Sequence, residues 1–416
     1  MKDLMALGGL EQKANDCPEV ELLRMCCRTK IDGDQQARIR HLLQPSMDWH
    51  TLVRLANVHG VQTLLYQSVK SIGKEQIPAI VLKDLTAYVQ QIAIFNTVLT
   101  RDLLKILDFL QTHGIRALPF KGPVLAASVY GSISLRHFCD LDILVSPLDF
   151  AKTIEVLVVE GYQLAYEWNL LDQDLELTLR NSKSEYQLIK NSVSIDLHQT
   201  LTVERFLSSQ FTFDYLWDNR EPVLVSGHTF YSFGADDLLM YLCIHGSKDC
   251  WRKLKWICDV SECIQQTPGR DWPRFLQQAA QMGCERMVLL GLCLTQQVLG
   301  TELPEVVQGK IDAHPGCSRL AQDFAQRLFD QENTLGRSFT PQKFIRHWQM
   351  TETRRDRIAC ILDIRRPIHG FWLKCLPNVN DRDFLILPKP LYFLYFLIRP
   401  LRLGLKHLNS ANPQES

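Results

Sequence analysis

Two carboxylates two residues apart mark the stretch of this sequence that could do chemistry. Asp140 and Asp142 flank Leu141 at the start of an apolar run that continues to Val145. If the run is a β-strand, its side chains alternate between faces, so both carboxylates point the same way. Carboxylates this close repel unless a cation lies between them, and hard oxygen ligands suit Mg²⁺ or Mn²⁺. The spacing alone is weak evidence, because an Asp-x-Asp pattern often occurs by chance.

Two neighbouring features strengthen the case for a metal site. Upstream, Lys121-Gly122 lies where a strand turns into a helix, and free backbone N–H groups at such a turn favour phosphate binding. Downstream, Asp196 lies in an alternating apolar stretch, so a neighbouring strand could add a third carboxylate. Together they predict a two-metal site for phosphoryl transfer, in which one ion activates a hydroxyl and the other holds a triphosphate.

Two further residues have a structural interpretation beside a functional one. Arg136 could hold a phosphate through two hydrogen bonds, or it could pair with Asp140 to relieve negative charge. His198, two residues beyond Asp196, could support a metal or an acceptor, although a core or supporting histidine is the commoner case.

A charged helical stretch follows the predicted sheet. Its charges lie at helical spacing and could line the substrate side of a cleft: His245, Lys248, Arg252, Lys255 and Asp259. The usual meaning of such a pattern is a solvated helix face, here with Lys255 and Asp259 as an ion pair four residues apart. Three tryptophans at helix positions are expected to pack in the core: Trp251, Trp256 and Trp272.

The elements that must position these groups predict an α+β fold. Apolar runs at 115–120 and 141–145 and alternating stretches at 184–189 and 193–197 predict strands. Helices are expected between them, at 123–130 and 148–160. The result is a small sheet with helices at about 115–201.

Helical regions are expected on both sides of this sheet. Apolar residues recur every three or four positions over 18–70, and a long helix is expected from 82 to 110, ended by Gly114. A strand pair at 223–233 precedes helices at 236–245, 251–265, 272–282 and 287–299.

Bulk properties limit the class of protein. The chain has 416 residues, so two or three domains are expected, and Lys+Arg and Asp+Glu both number 46, which argues against broad nucleic-acid coating. No basic and apolar leader is evident at the start, and the 13 cysteines lack a CxxC pair, so we expect a cytoplasmic protein with reduced thiols. The longest apolar run, 391–398, is too short to span a membrane.

The C-terminal segment, 351–416, differs from the rest because it is basic and rich in aromatic residues. Such a segment could bind RNA, an anionic membrane surface or a partner helix. Because its apolar residues need cover, we prefer a segment packed on the body of the protein.

The motifs resemble the core signature of DNA polymerase β-type nucleotidyltransferases. The resemblance is carried by Lys121-Gly122, Tyr130-Gly131, Arg136 and the run 140–145. In particular, the chain is similar to a bacterial family of nucleotidyltransferases related to the abortive-infection and toxin–antitoxin nucleotidyltransferases. Flanking features agree over most of the chain, at 47–50, 245–246, 251–259 and 399–402.

The resemblance implies a small mixed nucleotidyltransferase-type sheet and a role for each residue of the site. Asp140 and Asp142 would bind both metal ions, and Asp196 would help to activate the acceptor hydroxyl. The residues expected to bind nucleotide are Lys121, Gly122, Gly131, Ser132 and Arg136, and those expected on the substrate side are His198, His245 and Lys248. The expected domains are an N-terminal helical region at 1–114, a catalytic core at 115–233, a helical domain at 234–350 and the C-terminal segment at 351–416.

One position departs from the superfamily pattern. Gly122 is followed by Pro123, whereas the pattern has a Gly or Ser whose N–H or hydroxyl contacts phosphate, and proline offers neither. Gly131-Ser132 is a second candidate for that role, although it follows a helix instead of opening one. The departure bears on nucleotide affinity more than on metal binding.

The leading hypothesis is a Mg²⁺- or Mn²⁺-dependent enzyme that moves a nucleotidyl group from an NTP to a hydroxyl acceptor. The acceptor could be an RNA end, a protein or a small molecule, and the neutral net charge does not favour a long nucleic-acid groove. One alternative is a catalytically weakened module that binds a nucleotide or a partner protein and regulates, which Pro123 keeps open. Another is a metal-dependent glycosyltransferase, which leaves Lys121-Gly122 and Asp196 without a role.

Overall fold

The computed structural model describes residues 17–165, 185–191, 193–201, 211–329, 341–351 and 394. Within them, helices flank a five-stranded mixed sheet and a separate two-stranded sheet, which confirms the predicted α+β class. The predicted domain boundaries fall at connections between these elements and stay predictions.

Helices occupy the chain before the sheet, as the apolar periodicity predicts. They are α1 (Pro18–Cys26), α2 (Gly33–Leu42), α3 (Trp49–His59), α4 (Gln62–Gly73), a short 3-10 helix (Lys74–Gln76) and α5 (Ala79–Thr112). Local signals fix their ends: Asp32 and Gln35 form a capping box at α2, and Gly60 adopts a left-handed conformation after α3. The predicted long helix is confirmed as α5.

The mixed sheet carries the candidate site. Its elements are β1 (Ala117–Pro119), α6 (Gly122–Tyr130), β2 (Leu141–Val145), α7 (Phe150–Val159), β3 (Gln163–Leu164), β4 (Glu185–Lys190) and β5 (Val193–His198). The strand order is β1-β2-β5-β4-β3, in which β2 and β5 are parallel and the other pairs are antiparallel. Every residue of β2 is buried, as its apolar run predicts for a strand covered on both faces.

A hairpin and a run of helices follow the mixed sheet. After α8 (Phe213–Asp218), the strands β6 (Glu221–Val225) and β7 (His228–Ser232) form the hairpin. The helices are α9 (Ala235–Lys248), α10 (Leu254–Gln266), α11 (Trp272–Gln281), α12 (Glu285–Leu299), α13 (Glu305–Asp312), α14 (Pro315–Arg327) and α15 (Pro341–Met350).

Trp251 corrects one sequence-based prediction, because it precedes α10 instead of lying in it. Its backbone is left-handed, with φ of 51°. Its buried indole fills the space beside two glycines: a Cβ at Gly246 would lie 2.5 Å from the ring, and one at Gly291 would lie 3.1 Å from it. Packing of the ring between two helices therefore overrides the helical pattern. Trp272 is buried and Trp256 half-buried on their helices, as predicted.

Two apolar cores hold the elements together. The larger core joins α1–α4 to α9–α14, and the smaller core lies between the mixed sheet, α5 and α7. A polar contact links the ends of the larger core, since buried Glu262 on α10 accepts hydrogen bonds from the N–H and the hydroxyl of Thr29. The helices before and after the sheet thus pack as one body around it.

The C-terminal segment predicted to pack on this body lies outside the described residues, apart from Thr351 and Leu394. Across the residues that are described, no helix has the length and apolar character needed to cross a membrane. The cysteines of the described ranges are free, and most of them are buried.

Candidate functional site

The candidate site is built on the two parallel strands β2 and β5. Their register makes Asp142 the partner of Asp196 and Leu144 the partner of His198, and Asp140 immediately precedes β2. Partners in a parallel pair point their side chains to the same face of the sheet. The three predicted carboxylates therefore lie together, with Asp142 buried and the other two half-buried.

The turn before α6 comes close to the same strand. Gly122, the first residue of α6, has a left-handed φ of 54°, and a Cβ there would lie 3.3 Å from the backbone oxygen of Asp140. Both the conformation and the close approach favour glycine at this position. The Phe120 N–H donates to the Asp142 carbonyl at 3.3 Å, which ties the turn to β2. Pro123 lies in the first turn of the helix, as predicted.

One oxygen of Asp142 lies close to two nitrogen-bearing side chains. Lys121 Nζ donates to Asp142 Oδ1 at 3.2 Å, and His198 Nε2 lies 3.3 Å from the same oxygen without hydrogen-bond geometry. Burial alone would raise the pKa of Asp142, but the Lys121 ammonium and His198 outweigh it and hold the pKa below its usual value. Asp142 is therefore an ionised carboxylate with a cation beside it.

The other two carboxylates have the opposite electrostatic character. Burial, followed by the charges of Asp140 and Asp142, raises the pKa of Asp196 to about 6. Burial and the Asp142 charge also raise the pKa of Asp140. Asp196 Oδ1 is buried and accepts no hydrogen bond from the described residues. Burial and the repulsion among the carboxylates thus disfavour the ionised forms of Asp140 and Asp196.

The donor set fits a hard divalent cation. It consists of carboxylate oxygens with raised pKa values and an orphaned oxygen on Asp196, which a positive ion would stabilise. Among the described residues, no three Asp, Glu, His or Cys side chains already stand at metal-ligand distance from one another. Asp142 Oδ1 instead faces Lys121 and His198.

Arg136 binds a partner that neither sequence-based alternative anticipated. Its Nε and Nη2 donate to Asp259 Oδ1 and Oδ2 at 2.7 and 2.9 Å, and the Tyr130 hydroxyl donates to Oδ1 at 2.6 Å. Asp259 is 1% exposed, so it does not lie on a solvated face in an ion pair with Lys255. Arg136 therefore pairs with Asp259 and not with Asp140, the partner that one alternative predicted. Its guanidinium joins the loop before β2 to α10.

Two polar side chains on the N-terminal helices hold this loop in place, and the sequence analysis did not single them out. Asn96 Nδ2, on α5, donates to the Ile133 and Arg136 carbonyls at 2.5 and 3.0 Å. Thr63 Oγ1, on α4, donates to the Leu135 carbonyl at 2.6 Å. Single Asn and Thr residues in helices carry no pattern, so only the tertiary structure reveals their function in fixing the loop.

Gly131 and Ser132 close the helix that the Gly122 turn opens. Gly131 adopts a left-handed φ of 71° after α6, and its N–H donates to the Ala127 carbonyl at 3.1 Å. Ser132 Oγ accepts a hydrogen bond from the Ser134 N–H at 3.2 Å. Both residues thus have local structural functions at the far end of α6.

Two helices place titratable side chains near the carboxylates, His245 on α9 near Asp142 and Lys255 on α10 near Asp140. Burial lowers the pKa of His245 well below its usual value, and the charges of Lys121 and Lys248 lower it further. Burial, and then the Arg136 charge, lowers the pKa of Lys255. The Tyr241 ring, which the sequence analysis missed, lies 5.4 Å from Lys121 Nζ and stacks on His245 at 5.9 Å. The predicted His245 therefore lies within electrostatic reach of Lys121 and Asp142, and Lys248 lies within reach of His245.

Glu185 is another residue that the sequence analysis missed, since it lies in a strand predicted only for its alternation. Its Oε2 lies 3.6 Å from His198 Nδ1, so His198 is placed between two carboxylates, Glu185 and Asp142. The register of β4 and β5, in which Glu185 and His198 are partners, produces this contact.

Comparison with known proteins adds one match. A family model described as an uncharacterised nucleotidyltransferase matches residues 45–300, a range that includes the mixed sheet, the three carboxylates and α9–α12. No curated protein matches the chain.

Proposed function

The chain belongs to this family of uncharacterised nucleotidyltransferases, and we propose that it moves a nucleotidyl group from an NTP to a hydroxyl acceptor with the help of Mg²⁺ or Mn²⁺. The observation that carries the proposal is the register of β2 and β5, which sets Asp142 beside Asp196 with Asp140 at the start of the strand. Three adjacent carboxylates are the arrangement that this chemistry needs.

In this proposal, Asp140, Asp142 and Asp196 hold the divalent ions. The ions, when bound, would hold the triphosphate, lower the pKa of the acceptor hydroxyl and stabilise the leaving pyrophosphate. Asp196 Oδ1, buried and without a donor among the described residues, is the oxygen that is free to take part in activating the acceptor.

The nucleotide binds on the side of the Gly122 turn and α9. Lys121 is the N-cap residue of α6 with a side chain 14% exposed, and His245 and Lys248 lie on α9. Arg136 acts through the loop that it fastens to α10, since its Nε and Nη2 are bound to Asp259. Pro123 removes one N–H from the turn, so Lys121 supplies more of the phosphate contact than the turn itself.

Label transfer from each of the four α-³²P-NTPs tests the proposal. The protein is incubated with Mg²⁺ or Mn²⁺ in a lysate that contains RNA, proteins and metabolites, and it is compared with the Asp140→Ala, Asp142→Ala double variant. Loss of the metal ligands removes several kcal/mol of transition-state stabilisation, so we expect label transfer to fall by about 10³-fold or more. Asp108→Ala, at an exposed position on α5, is the matched control and keeps full transfer.

The labelled product identifies the acceptor as an RNA end, a protein or a small molecule. Transfer that persists in the double variant contradicts the proposal. NTP binding without transfer, in wild type and control alike, favours a nucleotide-binding regulatory module instead, and Pro123 in the phosphate turn is the observation that supports this second candidate. Transfer of a sugar from a sugar nucleotide identifies a glycosyltransferase.

A further inference from the structure

Lys121 occupies an unusual place for a residue expected to contact phosphate. Its ammonium points at the carboxylate strand, where Nζ lies 3.2 Å from Asp142 Oδ1, and the side chain is only 14% exposed. The Phe120 and Tyr241 rings lie 5.6 and 5.4 Å from Nζ. Aromatic faces at this distance attract a cation, so the rings and the carboxylate together hold the ammonium in place.

Lys121 forms its ion pair with Asp142, although its charge also lowers the pKa of Asp140. Asp142 Oδ1 faces both Lys121 and His198, whereas Asp196 Oδ1, on the partner residue of the same register, is buried with no donor among the described residues. The Lys121 ammonium therefore lies at the Asp142 end of the carboxylate group. The arrangement resembles a metal site in which a lysine ammonium lies beside one of the carboxylate ligands.

We propose that Lys121 is an internal counter-ion that competes with a divalent ion for Asp142, so that metal loading depends on the nucleotide. The inference rests on the proposed function of the same site. An ammonium and a divalent ion within a few ångströms of one carboxylate oxygen repel each other strongly when the site is buried. The lysine must leave Asp142 for the ion to bind, and the triphosphate of an NTP is the anion that can receive it.

Replacing Lys121 with a neutral residue should change the affinities for metal and for NTP in opposite directions. Without Lys121, Asp142 has no ammonium to displace, so metal binds more tightly in the absence of nucleotide. The NTP, in contrast, loses a phosphate contact and binds more weakly. A lysine that only stabilises the fold would move neither quantity in this way, and a lysine that only binds phosphate would leave the affinity for metal alone unchanged.

Mn²⁺ titration followed by electron paramagnetic resonance, without nucleotide, measures the first effect. We expect Lys121→Met to bind Mn²⁺ about tenfold more tightly than wild type, Lys121→Arg to bind it as wild type does, and Lys83→Met, at an exposed position on α5, to show no change. Lys121→Gln is a second neutral variant with the same expected gain, for use if the Met variant does not fold. Fluorescence titration with a labelled NTP analogue and Mn²⁺ measures the second effect, for which we expect a loss of about tenfold.

Equal or weaker Mn²⁺ binding in both neutral variants overturns the competition while leaving the proposed function standing. Absence of Mn²⁺ binding in wild type, with and without NTP, overturns the proposed function itself. A gain in Mn²⁺ affinity with unchanged NTP affinity rejects the transfer of Lys121 to phosphate, and with it the dependence of metal loading on nucleotide.

Discussion

Two charged clusters lie next to each other in this fold and differ in how completely their charges are paired. In the clamp cluster, Arg136, Asp259 and Tyr130, both carboxylate oxygens are bound and the pair is almost inaccessible to solvent. In the carboxylate cluster, Asp140, Asp142 and Asp196, the side chains of Lys121 and His198 contact Asp142, and the buried Asp196 Oδ1 has no donor among the described residues. A completed buried pair fixes structure, and an uncompensated one is available for a ligand.

We therefore expect the clamp cluster to stabilise the folded state and part of the carboxylate cluster to destabilise it. Natural proteins often keep destabilising charges where a function requires them. Variants in the two clusters therefore differ in the sign as well as the size of their effect on the free energy of unfolding.

The largest change in stability is expected for Arg136→Met. The substitution leaves Asp259 buried with its charge unpaired, and breaking a buried ion pair in this way costs about 3–5 kcal/mol. Urea unfolding followed by circular dichroism measures the loss. Arg101→Met, whose side chain is 61% exposed on α5, is the control and should change stability by less than about 0.5 kcal/mol. A loss below about 1 kcal/mol for Arg136→Met would show that the clamp cluster is not structural.

A smaller loss is expected for Tyr130→Phe. The variant removes one hydrogen bond to the Asp259 carboxylate and keeps the aromatic ring, so we expect a loss of about 1.5–3 kcal/mol. Tyr66→Phe provides the control, because the Tyr66 hydroxyl contacts Lys70 at the surface. If Tyr130→Phe costs as little as its control, Arg136 alone satisfies Asp259.

The same two clusters show what the sequence can predict. Local patterns suffice for β2, whose apolar run matches the strand, and for α5, whose periodicity spans most of the helix. They also place Asp196 in an alternating strand, from which its approach to Asp142 follows. The sequence is therefore sufficient to predict the fold class and the grouping of the three carboxylates.

The sequence does not predict contacts between residues that are far apart along the chain. Arg136 and Asp259 are 123 residues apart, and nothing local to either one points to the other. The same holds for Asn96, which reaches the loop before β2 from α5. Trp251 shows the reverse case, because its packing beside two glycines overrides a helical pattern that is locally convincing. The sequence therefore does not show which of several similar residues a side chain contacts in the folded protein.

Asp237 on α9 is a third buried carboxylate, and its hydrogen-bond partners among the described residues are neutral. It accepts hydrogen bonds from the Tyr215 hydroxyl at 3.0 Å and from Gln278 Nε2 at 3.3 Å. Burial raises its pKa to about 6, and the charges of Asp236 and Glu221 contribute to the increase. A folded-state pKa above the unfolded value means that this group favours the folded state at low pH, and that the benefit is lost as pH rises through about 6.

Asp237→Asn should therefore stabilise the protein at pH 8 and not at pH 4. The amide oxygen can still accept both hydrogen bonds, and the cost of burying an ionised carboxylate disappears, so we expect a gain on the order of 1–2 kcal/mol at the higher pH. Urea unfolding at both pH values measures it, with the exposed Asp108→Asn as the control. A gain that does not depend on pH would mean that Asp237 does not titrate in this range.

Asp196→Asn is expected to produce the smallest change in stability, and it is the most direct test of the difference between the clusters. Asp196 has no donor on its buried Oδ1 among the described residues, and its neighbours Asp140 and Asp142 repel its charge. Neutralising it should raise the free energy of unfolding in metal-free buffer by about 0.5–1 kcal/mol. Asp142→Asn, at the register partner, should lower it instead, because the buried Lys121 ammonium loses its counter-charge. Urea unfolding with a chelator present compares the two, and a loss in both variants would show that the carboxylate cluster is as fully compensated as the clamp cluster.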